Sequence, residues 1–418
     1  MNSAASPSQP ALTLAFTLRL LLPFACGYFL SYCYRSVNAI IAPDLVADLN
    51  LDAADLGLLT SVYFLAFALF QLPLGILLDR FGPRRVETTL LLVAASGALL
   101  FAYSETSGGL LLGRALIGMG VSACLMASFK TTASWFPRAR VPAMNAWIMT
   151  AGGLGALSAT RPVELALEFT DWRGVVSILG FATIAVAALL FFVVPERGDQ
   201  SRHGFRQLIG GVAQVYRNAY FWRVVPLTVL SQSAYLAIQG LWAGPWLHDV
   251  AGLDRIAVAD SLLWLAVAMV SGFLLTGNIA SALERKGFSL RNITAFYLII
   301  FMLTQLGLVL GLTEYALPLW LLFGFFGSSG VLAFPLLQRH FSGQLTGRVN
   351  TCANVLVFLF AFATQWAIGL VVNLWPDAAT GGYAITGYST AFGLSLALQT
   401  LAFIWFMLGS APQPTHEH

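Results

Sequence analysis

Arg35 sits in the stretch Tyr32-Cys33-Tyr34-Arg35-Ser36-Val37-Asn38, within a run otherwise apolar enough to cross a bilayer. A charge at the centre of a membrane helix costs about 2.5–3.5 kcal/mol on insertion scales, so an embedded guanidinium needs a use. Helical spacing puts Tyr28, Tyr32, Arg35 and Ala39 on one stripe, with Asn38 beside it. A guanidinium among tyrosines can grip a carboxylate or phosphate with two parallel hydrogen bonds. The competing use is structural, with the arginine paired to an acid or to carbonyls so that it joins helices.

A second polar face lies 204 residues further on, where Gln232, Tyr235, Gln239, Trp242 and Trp246 recur at steps of three and four. Tyr28 pairs with Gln232 at that offset, Arg35 with Gln239 and Asn38 with Trp242. Buried glutamines and tyrosines in lipid need partners or water, so this face reads either as a cavity lining or as packing. Asn350, Asn354, Phe358 and Gln365 form a third such face, which could equally be hydrogen-bond glue between helices. The other embedded charges are Arg114, Lys130 and the near neighbours Arg161 and Glu164. Lys130 either snorkels to the surface or adds a second positive point to the Arg35 pathway. Arg114 reads as a substrate contact or as a structural or coupling group. Glu164 is the carboxylate to consider for coupling, and as a partner of Arg161 it reads as structural or as a gate.

The elements that carry these residues follow from composition. Of 418 residues, 58% are hydrophobic and 10% charged, against about 25% charged in soluble proteins. That excludes a soluble enzyme and a disordered chain. The net charge of +3 is too small to mark a nucleic-acid surface. Cys26, Cys33, Cys124 and Cys352 all lie in apolar runs without metal-like spacing and read as buried small hydrophobes. No phosphate-binding loop or catalytic cluster is present, so neither an enzyme nor a cofactor or metal is expected.

Twelve apolar runs approach the roughly 20 residues of a spanning helix. They lie near 14–42, 55–78, 87–104, 110–136, 142–166, 174–194, 222–247, 258–281, 292–312, 315–337, 348–374 and 384–409. Even-numbered connections collect arginines such as Arg80, Arg84, Arg85, Arg138, Arg140, Arg197, Arg202, Arg206 and Arg217, while odd-numbered ones hold mainly acids such as Asp44, Asp48, Asp52, Glu168 and Asp171. The positive-inside rule then puts the basic loops and both termini in the cytoplasm. The polar stretch 195–221 divides a first six-helix bundle, 1–194, from a second, 222–418, and Ala411–His418 reads as a disordered tail. The fold class expected is therefore an all-α membrane protein of twelve transmembrane helices in two pseudo-symmetric six-helix bundles, an architecture with its binding site between the repeats.

Between the second and third runs the chain reads Gly75-Ile-Leu-Leu-Asp79-Arg80-Phe-Gly82-Pro83-Arg84-Arg85. Gly75 would let another helix approach, Gly82 and Pro83 make a tight turn, and the arginines hold the loop at the basic side. This loop resembles the signature loop of the major facilitator superfamily, and Arg114 with Gly118 and Gly120 resembles that family's fourth-helix arginine motif. The resemblance implies rocking of the two bundles, with Gly75, Asp79, Arg80, Gly82, Arg84 and Arg114 in gating or conformational roles. It also implies that Asp79 latches to the start of the eleventh helix near Thr346-Gly347-Arg348.

The segment around Arg35, with Pro43 eight residues later, resembles the first helix of the organophosphate/phosphate antiporters and of the anion–cation symporters. This implies that Arg35 holds an anionic group. The antiporters' second arginine is missing near Ala237-Ile238-Gln239, Gln71 stands in place of their lysine, and Met149 or Thr150 in place of their histidine; the symporters' acid beside the arginine is Tyr34 here. The expected function is secondary or facilitative transport of a small organic anion or zwitterion bearing a carboxylate. Its substrate would contact Arg35, Tyr28, Tyr32, Asn38, Lys130, Gln232, Tyr235, Gln239, Trp242, Asn354 and Phe358, with Arg161 and Glu164 as coupling candidates. The alternative is efflux of amphipathic compounds such as drugs or siderophores, and a transporter-shaped sensor is a third reading. Expected partners are a small solute, the lipid bilayer and protons as a candidate coupling ion, with no nucleic acid, for a monomer in the bacterial inner membrane.

Overall fold

The computed structural model describes residues 13–195, 205–341, 345–377 and 382–409. Arg197 and Arg202 of the expected linker and the tail 411–418 lie outside the described residues.

The first six spans comprise α1 Leu14–Ser36, α2 Asn38–Leu49, α3 Ala53–Phe81, α4 Pro83–Tyr103, α5 Ser107–Val121, α6 Cys124–Trp135, α7 Val141–Ser158, α8 Arg161–Ala166 and α9 Trp172–Val193. A further helix, α10 Phe205–Tyr216, lies in the expected linker and packs on the eleventh span. The last six spans comprise α11 Phe221–Ala237, α12 Ala243–Asp249, α13 Arg255–Arg285, α14 Leu290–Val309, α15 Ala316–Gly327, α16 Ala333–His340, α17 Thr346–Val372 and α18 Ile385–Met407. A two-residue ribbon pairs β1 Pro376–Asp377 with β2 Gly382–Tyr383.

Eleven helices among the described residues are long and apolar enough to cross a membrane. The remaining expected span, 142–166, is broken into α7 and α8. Pro162 removes an N–H, and Thr160 leaves helical geometry at φ −112°, ψ −118°. The first run is longer than expected because α2 carries it on to Leu49, and Asn50 ends it in the left-handed conformation at φ 51°.

Several acidic residues of the odd-numbered connections have a local task. Asp52, Asp171 and Asp254 each accept the N–H three residues ahead, at 2.7–2.8 Å, and so cap α3, α9 and α13. At the opposite end Gly82 takes φ 79°, which only glycine adopts freely, and Pro83 starts α4 at once.

α1 packs on α7, and α4 on α5 and α9; in the second bundle α13 packs on α15 and α14 on α18. The seam between the bundles runs along α3 and α17. One continuous apolar core fills the first bundle and crosses to the second bundle's acidic end, taking in Trp242, Trp246, Trp320 and Phe358. The second bundle's basic end holds a separate core around Phe221, Leu298, Leu337 and Val349. The two bundles are therefore fused at the acidic end and have distinct cores at the basic end.

Candidate functional site

Three helix irregularities shape the middle of the molecule. α1 gives way to α2 at Val37, two residues after Arg35. The seventh span widens into a π-helical turn over Ile238–Trp242, which contains Gln239. α5 gives way to α6 across Ser122 and Ala123. Such turns often mark functional positions because they redirect side chains out of the regular helical register.

Between the bundles lies a cavity of about 340 Å³. Tyr28, Tyr32 and Arg35 of α1 line it, with Gln232 and Tyr235 of α11, Gln239 of the π turn, and Asn354 and Phe358 of α17. Eight of the eleven substrate-contact residues expected from sequence thus face one cavity.

The Arg35 guanidinium is held by aromatic faces. Its carbon is 4.8 Å from the Tyr32 ring centre, 5.2 Å from Phe358 and 5.8 Å from Phe67. Phe67 of α3 and Phe358 of α17 pack at 4.2 Å between centroids, so this box is closed from both bundles. Cation–π contacts hold the charge in place, and the Tyr63 hydroxyl of α3 is a hydrogen-bonding neighbour of the guanidinium. Arg35 has no carboxylate partner among the described residues, and its buried Nε makes no hydrogen bond. Of the structural uses, pairing with an acid is not what the geometry presents.

The second-bundle wall is neutral. Gln232 donates to the Gly327 carbonyl at 2.7 Å, while the buried Tyr235 hydroxyl has no partner among the described residues. Gln71 also lines the cavity and donates to Ser122 O at 3.2 Å. The remaining walls are largely apolar, with Leu125, Met126, Phe129, Met149 and Met269.

Three expected contacts lie elsewhere. Asn38 follows the break at Val37, and its side-chain oxygen accepts from buried Arg114 of α5, whose guanidinium also stacks 4.5 Å from Phe101. Trp242, at the end of the π turn, is turned into the acidic-end seam and donates to Gln365 O at 3.0 Å. Lys130 pairs with Asp79 at 2.5 Å and with Leu78 O at 2.8 Å, in the wall of a separate small cavity beside the signature loop.

The signature loop is tied to its own bundle. Besides the Asp79–Lys130 pair, Arg84 donates to Val194 O at 3.2 Å and stacks 5.0 Å from Phe191, and Arg80 lies over Phe81. The expected close helix approach at Gly75 is not found in this state. No described atom comes within 4 Å of a Cβ built there, in keeping with the separate apolar cores at this end.

The acidic end holds a latch that the sequence reading missed. Arg255 of α13 donates to both carboxylate oxygens of Asp44, at 2.9 and 2.7 Å, and to Glu164 at 2.6 Å. Glu164 is therefore not paired with its near neighbour Arg161, which reaches across to Asp260 at 3.6 Å. A helical turn separates the two in sequence, but the short α8 aims both at α13. Asn373 donates to Asp52 at 3.0 Å, the Tyr383 hydroxyl accepts from Ala53 N at 2.8 Å, and Gln365 reaches Thr60 at 2.7 Å. All of these join the two bundles. Arg255 carried a readable signal, since it is a basic residue in an otherwise acidic connection.

The sequence profile of the Major Facilitator Superfamily matches residues 24–365. The chain is 23% identical to the hexuronate transporter of Escherichia coli (strain K12) over 424 aligned residues, covering 93% of this chain and 94% of that one. It is 31% identical to the uncharacterized transporter YybO of Bacillus subtilis (strain 168), over 163 residues that cover 39% of this chain and 37% of that one. Among solved structures, a bacterial homolog of the human lysosomal transporter Spinster, crystallised in an inward-facing and unoccupied conformation, superposes with a TM-score of 0.77. That match has 16% identity and covers 95% of this chain and 97% of the other, a likeness of fold.

Proposed function

The chain belongs to the major facilitator superfamily and is an integral membrane transporter, and from that premise we propose that it carries a small, singly charged organic acid between its two bundles by alternating access. The observation that carries this reading is Arg35, a guanidinium without a carboxylate partner, boxed by Tyr32, Phe67 and Phe358 at the wall of a cavity whose other polar groups are neutral. One fixed positive charge suits one carboxylate. The amides of Gln239 and Asn354 and the hydroxyls of Tyr28 and Tyr235 suit a hydroxylated body. A charge-assisted hydrogen bond contributes about 1.5–3 kcal/mol, enough to select an acid over its neutral analogue. The hexuronate transporter's name points the same way.

In this reading the basic loops face the cytoplasm, the latch around Arg255 closes the far side, and the cavity communicates with the cytoplasm between the parted basic ends. The host membrane is a bacterial inner membrane and the working unit a single chain. Arg161 and Glu164 belong to the latch and act on the rocking motion. The test is uptake of radiolabelled D-glucuronate into proteoliposomes. Wild type accumulates label in competition with unlabelled hexuronates, and Arg35→Ala does not. Equal uptake by both proteins would remove the anion reading.

A second reading is supported by the methionine-rich walls, Met126, Met149 and Met269, which suit amphipathic molecules. It predicts export of bulky neutral or cationic compounds with no dependence on Arg35.

A further inference from the structure

Glu87 lies one turn into α4, about 6 Å along the axis from the start of the helix at the basic end. It is completely buried, and among the described residues its carboxyl oxygens have no nitrogen or oxygen partner, the Cys124 thiol being the hydrogen-bonding neighbour. Across from it on α1 is Gly27, where a Cβ would collide with Glu87 Oε1. The absence of a side chain there leaves the carboxyl its room.

The groups around Glu87 are few. The thiol of Cys124 on α6 faces it and lies within electrostatic range of Arg35 as well. Tyr28 follows Gly27 on α1 and stacks edge-on against Tyr32, which stacks on Arg35. Three cations of the same and neighbouring helices are committed elsewhere: Arg84 of the same helix to Val194 and to Phe191 of α9, Arg114 of α5 to Asn38, and Lys130 of α6 to Asp79 of α3. A carboxyl in this setting has no cation paired with it among the described residues, so its proton occupancy follows the field that the anion cavity sets.

We propose that Glu87 is the proton-carrying carboxyl of this transporter, loaded from the basic end and coupled through Cys124 and the Tyr28–Tyr32–Arg35 stripe to the occupancy of the anion cavity. The step is a protonation alone, in which Glu87 carboxylate and one proton from water form the neutral carboxyl, and the reverse releases the proton to the same side. The sign follows from charge. An anion on Arg35 cancels a positive field that reaches Cys124 beside Glu87, which favours the protonated form of Glu87. An ionised Glu87 would in turn compete with the anion for Arg35. Proton and anion therefore bind with positive, reciprocal coupling, which is symport. This rests on the anion reading above, and it adds a residue to which the sequence reading gave no role because it stands at the edge of its apolar run.

The test uses the full chain in lipid. Infrared spectra recorded across a pH series should show a carbonyl band of a protonated carboxylic acid that loses intensity as pH rises. Glu87→Gln should lack that band, and Glu87→Asp should restore a titrating band at a shifted position. At a pH where the ligand-free carboxyl band has disappeared, proton uptake on adding D-glucuronate in weak buffer should approach about one per ligand bound in wild type and be absent in Glu87→Gln, which still binds the ligand. The proposal is overturned by a titrating band that survives in Glu87→Gln, or by a Glu87 band that does not respond to pH. It is equally overturned by unchanged proton uptake in the variant. If D-glucuronate binds neither protein, the anion reading fails instead, and the infrared series still decides Glu87.

Discussion

Arg35 and Gln239 occupy corresponding places in the two bundles, 204 residues apart, and each sits at a local break in its helix. α1 ends just beyond Arg35 at Val37, and the π turn over Ile238–Trp242 contains Gln239. The same geometry thus presents a permanent cation from one side and a neutral amide from the other. Gene-doubled bundles need not keep a symmetric site. Here the charge sits wholly in the first bundle, while the second supplies Phe358 to its aromatic box and amides to the rest of the cavity. A solute with one charged end and one neutral end would bind in a single orientation.

The sharpest way to break this asymmetry is Arg35→Ala. It removes the fixed charge and should lower kcat/KM for D-glucuronate by at least about 100-fold, since losing one partner of a buried charge pair costs about 3–5 kcal/mol. Arg35→Lys should recover only part of that, because an ammonium cannot make the paired bonds. Gln239→Arg should sharpen the comparison by giving the second bundle a charge. Competition assays should then show preference moving by about tenfold toward dicarboxylates. Phe358→Ala opens the box and should raise KM by about fivefold, the scale of one cation–π contact of about 1 kcal/mol. Arg255→Ala acts away from the cavity. Its ion pairs are part-exposed, so the change in kcat should be a few-fold, on the order of 1 kcal/mol, with KM nearly unmoved. A large rise in KM for that variant would contradict its placement in the latch.

The sequence reading fared differently on either side of the two helix breaks. Tyr28, Tyr32 and Arg35, like Gln232, Tyr235 and Gln239, recur at steps of three and four and do share one cavity. Asn38 and Trp242 were assigned by extending the same steps, and both point away from it. Asn38 lies just past the break at Val37 and Trp242 ends the π turn itself, and at both places a pattern of 3.6 residues per turn no longer applies. Lys130 was misplaced for another reason. Its depth along α6 was legible, but its partner Asp79 comes from a different helix, and the loop motif gave no hint of that pairing. The split of α7 from α8 was signalled by Pro162, yet the redirection of Arg161 and Glu164 toward α13 depends on packing between the bundles, which a single chain pattern does not encode. The apolar runs themselves were legible because a membrane helix must be long, apolar and internally hydrogen-bonded.

The two ends of the molecule complete the picture. The acidic end combines a shared apolar core with the Arg255, Asn373 and Tyr383 contacts, whereas at the basic end Asp79–Lys130 and Arg339–Glu284 each stay within one bundle. Carrying a solute requires exchanging these arrangements, and the proposed anion site between them is what would make the exchange selective.

The most direct test of that site is the thermal stability of the purified protein titrated with D-glucuronate and, in parallel, with neutral D-glucose. A ligand at concentration L that binds the folded state raises its apparent stability by RT ln(1 + L/Kd), which keeps rising with ligand concentration. The account predicts that D-glucuronate raises the Tm of wild type with this logarithmic dependence on concentration, that D-glucose does not, and that Arg35→Ala responds to neither while folding normally. Equal stabilisation of both proteins by D-glucuronate, or stabilisation of both only by bulky neutral or cationic compounds, would contradict it.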